Sequence, residues 1–155
     1  MIQRIQSLYL LIIAALTTIT LFLPVAGLHQ VDNSLIYELN YKGLYELNTS
    51  GNEYMANTWM LTALMVIIPL LSFINIFLFK NRFLQLRMVF FNIVIMAGFY
   101  VMLFIYLWQF GKIIDAKMFV EIPAAFPLIG IVLSIMTIKS ISKDIALIKS
   151  LNRIR

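Results

Sequence analysis

Residues 58–79 read TWMLTALMVIIPLLSFINIFLF. No Lys, Arg, Asp, Glu or His interrupts the stretch. A helix needs about 20 mostly apolar residues to cross roughly 30 Å of hydrocarbon, so this stretch predicts a membrane span. Segments 8–28, 88–110 and 122–138 have the same character, and none has a Lys, Arg, Asp, Glu or His in its interior. The sequence therefore predicts an all-α membrane protein, a bundle of four transmembrane helices forming one integral domain over residues 1–155.

The composition agrees. Of 155 residues, 62% are hydrophobic and 12% charged, against about a quarter charged in ordinary soluble domains. A soluble domain of about 150 residues still exposes roughly 30% of its chain surface to water, which makes lipid the better solvent. The net charge of +5 then points first to an anionic leaflet and only second to nucleic acid. There is no cysteine, which excludes disulfides, thiolate catalysis and cysteine-ligated metal centres.

The loops set a direction. Arg4, Lys80, Arg82, Arg87, Lys139, Lys143, Lys149, Arg153 and Arg155 all fall on the side of the two termini, nine of the twelve basic residues. The opposite side, residues 29–57 and 111–121, is acidic or balanced. The positive-inside rule predicts cytoplasmic termini. Residues 1–27 read as an uncleaved span, since the apolar run exceeds a signal-peptide core of about 7–15 residues and lacks a small-x-small exit.

Between the first two spans, Leu35, Tyr37, Leu39 and Tyr41 alternate with Ile36, Glu38, Asn40 and Lys42. Period two marks a half-buried strand. Tyr37-Glu38-Leu39-Asn40 recurs as Tyr45-Glu46-Leu47-Asn48. A loop of Lys42, Gly43 and Leu44 would pair Tyr41 with Tyr45 and Leu39 with Leu47, keeping one face uniform. The expectation is a small β-hairpin in this extracytoplasmic loop (29–57). It would act as a lid on the bundle or as a docking surface using Tyr37, Tyr41 and Tyr45. A turn-rich, disordered loop is the remaining reading, since residues 48–57 abound in turn formers.

Inside the spans, Asn75 and Asn92 read as interhelical hydrogen-bonding residues. The alternative is a polar path for a small solute, against which the absence of intramembrane charge counts. Pro69 falls in mid-span and predicts a kink. Pro123 and Pro127 read as helix starts, and Trp59, Tyr106 and Trp108 as an interfacial belt. His29 is the only histidine and has no partners for metal binding or acid–base work nearby. No phosphate-loop, nucleophile-elbow, paired-carboxylate or metal motif occurs, so neither enzyme activity nor a cofactor is expected.

The tail, residues 139–155, follows the fourth span. Ile138, Ile141, Ile145 and Ile148 recur at helical spacing, with Lys139, Lys143, Lys149 and Arg153 on other faces. This is a basic amphipathic helix. It would continue span four or bend to lie on the leaflet. Together with Arg155 it suits anionic lipid or packing on the bundle, or alternatively a partner protein or ribosomal RNA.

The two ends, MIQRIQSLYLL (1–11) and KSLNRIR (149–155), resemble an uncharacterised family of four-span inner-membrane proteins of Bacteroidota that carry a domain of unknown function. Asn152 departs from the aspartate usual in that family before its Arg-(Ile or Leu)-Arg terminus. The resemblance implies the inner membrane of a Gram-negative cell and no catalytic residue. The expected role is a non-catalytic accessory or scaffold subunit of a larger inner-membrane assembly, possibly in protein export or membrane insertion. Its partners would be membrane lipids and other integral membrane proteins. The alternative is a stand-alone binder or transporter of a lipid or small apolar molecule, using a cavity near Pro69 and Asn92.

Overall fold

The computed structural model describes residues 2–30, 35–48 and 51–152. Four long helices run Ile2–Phe22 (α1), Trp59–Phe77 (α2), Arg82–Ile114 (α3) and Phe126–Asn152 (α4). All four are long and apolar enough to cross a membrane. They form a ring in which each packs on its sequence neighbour and α1 closes against α4. The 33 residues of α3 extend about 50 Å at 1.5 Å per residue, well beyond roughly 30 Å of hydrocarbon.

The inward seam of the ring follows one spacing. The buried positions are Gln6, Leu10, Ile13, Thr17 and Thr20 on α1, and Leu61, Met65, Ile68, Ser72 and Asn75 on α2. On α4 they are Gly130, Ser134, Thr137, Ile141 and Asp144. Steps of three and four alternate throughout, the period of a helix–helix seam. Polar and small residues share the seam with large apolar ones such as Leu10, Met65 and Phe99, while other large apolar side chains such as Phe73, Phe90 and Phe104 are exposed outside. Apolar residues on both sides are expected where lipid is as apolar as the interior. Seam hydroxyls bond back to their own helix: Thr17 donates to the Ile13 carbonyl at 2.7 Å and Ser72 to the Ile68 carbonyl at 3.0 Å.

The two connections at one end of the ring build a single antiparallel sheet. Its strands are Ala26–Gln30 (β1), Ile36–Asn40 (β2), Gly43–Asn48 (β3), Gly51–Ala56 (β4) and Ala116–Val120 (β5). Their spatial order is β4-β3-β2-β1-β5. The expected hairpin is therefore two strands of five, and a bare hairpin would be marginal alone. Residues 51–56, expected within a turn-rich stretch, form β4. The second connection, between α3 and α4, contributes β5 after Asp115 turns the chain at a left-handed φ of 52°.

The first span also ends earlier than its apolar run. Pro24 lacks an amide hydrogen and disfavours helix at Leu23, so α1 stops at Phe22 and the chain enters β1. Helix α2 continues through Pro69. Pro123 lies in a short 3-10 turn, Ile122–Ala125, and Pro127 in the first turn of α4. The tail is continuous with α4 as far as Asn152.

Candidate functional site

The register of the sheet decides what its two faces offer. Leu39 pairs with Leu44, Tyr37 with Glu46 and Glu38 with Tyr45. The turn is thus Tyr41-Lys42, not the expected Lys42-Gly43-Leu44. The reason is packing: Leu39 and Leu44 are each 1% exposed, and this register buries them together. Gly43 accommodates the turn at a φ of +143°, and an irregularity between Leu44 and Tyr45 then re-aims β3 against β4.

The inner face, toward the helix ends, carries Ala26, Leu28, Tyr37, Leu39 and Leu44, all buried. Burial pushes the Tyr37 phenol above its ordinary pKa, and the charge and hydrogen bond of Glu46 push it further. The Tyr37 hydroxyl also lies 3.5 Å from Gln30 Oε1, a second acceptor within its reach.

The outer face carries one row running across all five strands: Phe119, Gly27, Glu38, Tyr45 and Tyr54. The Phe119 ring lies over Gly27, where a Cβ would come within 2.3 Å of it. Tyr45 and Tyr54 meet edge to face, with centroids 5.6 Å apart. Glu38 stands between these aromatic groups. Tyr54 is 53% exposed and Phe119 38%. His29, Lys117 and Ile36 continue the face in the next row and are exposed.

The three hairpin tyrosines therefore do not form one surface. Tyr37 faces inward, and Tyr45 faces outward. Tyr41 lies in the turn, edge-on to Phe22 at 6.5 Å. Phe119 and Tyr54 are the aromatic residues that sequence reasoning did not single out. Only the pairing of β5 with β1 and of β4 with β3 brings them together.

The polar helix residues serve the seam. Asn92 donates from Nδ2 to Ser72 Oγ at 2.8 Å and is buried. Gln85 Nε2 donates to the Asn75 carbonyl at 3.2 Å. With its side-chain oxygen and nitrogen exchanged, Asn75 donates to the Gln85 backbone carbonyl at 3.3 Å and accepts from the Val89 backbone N–H at 3.1 Å, the orientation that satisfies both neighbours. Two open grooves flank the bundle, one beside Lys42 and α2 and the other beside Glu121 between α3 and α4. Neither is lined by Pro69 or Asn92.

At the end away from the sheet, Asp144 Oδ2 accepts from Gln6 Nε2 at 2.9 Å and pairs with Arg82 Nη1 at 3.1 Å. Gln6 also donates to Ser140 Oγ at 3.2 Å. This network, absent from the sequence reading, ties the first half of the tail into the bundle. Lys139 and Lys143 point outward and are exposed. The side chain of Lys149, and Arg153 and Arg155 altogether, lie outside the described residues. Among the described residues, no group of three or more His, Cys, Asp or Glu is placed to hold a metal ion.

Residues 2–154 match the family described as "Domain of unknown function (DUF4293)", and the chain belongs to it. No curated protein and no solved structure matches the chain.

Proposed function

We propose that this DUF4293 protein is a non-catalytic accessory or scaffold subunit of a larger inner-membrane assembly, and that a partner docks on the outer face of its sheet. Protein export or membrane insertion is the candidate process, on the pairing of an outer sheet with a basic inner end. The orientation follows from the charges: the basic residues gather at the end bearing the termini, so the sheet lies outside the cytoplasm.

The observation that carries this reading is the outer row of Phe119, Tyr45 and Tyr54 around Glu38, in which Phe119 and Tyr54 are exposed and Tyr45 is half-buried against Tyr54. Exposed aromatic side chains on a rigid support supply much of the binding energy in protein interfaces. Glu38 between the rings adds a place for a partner's Lys or Arg, which would gain a carboxylate and the aromatic faces together.

The test is purification of the tagged full-length protein in mild detergent, alone and with Tyr45→Ser, Tyr54→Ser and Phe119→Ser combined. A stoichiometric partner held by the wild type and lost from the triple variant supports the scaffold reading. A lone monomer or homo-oligomer that behaves identically in both forms contradicts it and favours a stand-alone lipid or small-molecule binder.

A further inference from the structure

A second surface, apart from the outer face of the sheet, has the parts of a ligand site. Where the β2–β3 turn meets the start of α2, an open groove of about 630 Å³ is lined by Lys42, Asn57, Trp59, Ala63, Val66 and Ile67, among others. Its lower wall is apolar. Trp59, Ala63, Val66 and Ile67 recur at helical spacing on the outward side of α2. The small Ala63 side chain leaves a trough between Trp59 and Ile67.

Its upper end is cationic. The Lys42 ammonium lies 5.5 Å above the Tyr41 ring. The turn that carries it is fastened: the Thr62 hydroxyl donates to the Tyr41 carbonyl, while Phe22 packs on the Tyr41 ring. A bond to α2 thus holds the backbone of the turn that carries Lys42 at the head of the groove. Helix α2 adds to the field, because it begins at Trp59 with no side-chain cap from Thr58. The amides of its first turn retain their partial positive charge. Asn57 supplies a polar side chain beside them.

We infer that this groove binds an anionic phospholipid, with the headgroup phosphate at Lys42 and the α2 N-terminus and an acyl chain along Ala63, Val66 and Ile67. The occupant follows from charge complementarity. The polar end offers positive charge and the lining holds no acid. A zwitterionic lipid would bring its own ammonium against Lys42. A free phosphate would leave the apolar trough unused. This site does not depend on the scaffold reading.

The test uses full-length protein in mild detergent and native mass spectrometry with phosphatidylglycerol and phosphatidylcholine of identical chains. Wild type retains phosphatidylglycerol about fivefold better, the effect expected of one basic residue near an anionic surface. Lys42→Gln abolishes that preference, Lys42→Arg keeps it, and Ala63→Trp weakens retention of both lipids. Equal retention of the two lipids by wild type overturns the assignment, as does a preference that survives Lys42→Gln. Displacement of phosphatidylglycerol by millimolar inorganic phosphate would overturn it in favour of a phosphate site. Lys42 is exposed, so its variants fold and decide the question even if Ala63→Trp does not.

Discussion

Arg82 and Asp144 meet at 3.1 Å, joining the first residue of α3 to the far half of α4. The same carboxylate oxygen accepts from Gln6 on α1, so one atom holds three helices together. Asp144 is only 5% exposed. Among the described residues, Asp144→Ala leaves Gln6 with only Ser140 as acceptor and Arg82 with only solvent. It lowers stability by about 1–3 kcal/mol, the cost of losing charged hydrogen bonds in a largely buried site. Asp144→Asn retains an acceptor and costs less. Thermal melts in detergent check this, with exposed Lys143→Ala as a control expected within about 0.5 kcal/mol of wild type.

Two glycines of the sheet differ in kind. At Gly43 the φ of +143° and the Ala56 carbonyl, 2.4 Å from an added Cβ, both oppose a side chain. Gly43→Ala is expected to cost about 1–3 kcal/mol, with no rescue by trimming a neighbour. At Gly27 the obstacle is the Phe119 ring, a movable side chain. Gly27→Ala therefore costs less, and Phe119→Ala in the same protein removes the clash. Melts of the three variants separate backbone strain from side-chain crowding.

Asn92 and Ser72 are coupled across α2 and α3. A double-mutant cycle with Asn92→Leu and Ser72→Ala is expected to return about 0.6 kcal/mol, the average for hydrogen bonds between membrane helices. Asn92→Leu itself is near neutral, because it also removes a buried Oδ1 that has no partner. A loss above about 3 kcal/mol would give Asn92 a role beyond this bond.

Much of this architecture was legible in the sequence. The four apolar runs mark the four helices, and the seam is visible in hindsight from Gln6, Thr17 and Thr20, or Ser72 and Asn75, at steps of three and four. Hydrophobic residues lie on both sides of such helices, so the polar residues are the better guide to the interior. The sheet was only half visible. The alternation over 35–41 announced β2, but β5 is recruited from a second connection and its partner β1 hid within an apolar run broken by Pro24. The register was misread for a related reason. Repeated tyrosines suggested one aromatic face, whereas Leu28, Leu39 and Leu44 determine which side is buried. The tail's amphipathic spacing announces a helix against lipid or bundle, but nothing in that spacing reveals that Asp144 reaches Arg82.

Tyr37 predicts a pH effect. Burial, then Glu46, favours its neutral phenol in the folded chain, so folded Tyr37 releases its proton at higher pH than unfolded Tyr37. The resulting stabilisation is complete below the ordinary tyrosine value of about 10 and is lost as pH rises through the folded value. Above pH ~10, wild type should lose stability more steeply than Tyr37→Phe. Parallel slopes in unfolding curves measured across that range would contradict this.

The most direct test of the docking surface is site-specific photocrosslinking in intact cells. A photoreactive phenylalanine would replace Tyr54 or Phe119 on the outer face, and Leu44 on the inner face as a control. The account predicts one protein adduct of defined mass from both outer positions and none from position 44. Adducts only to lipid, or an adduct pattern shared by all three positions, would contradict it.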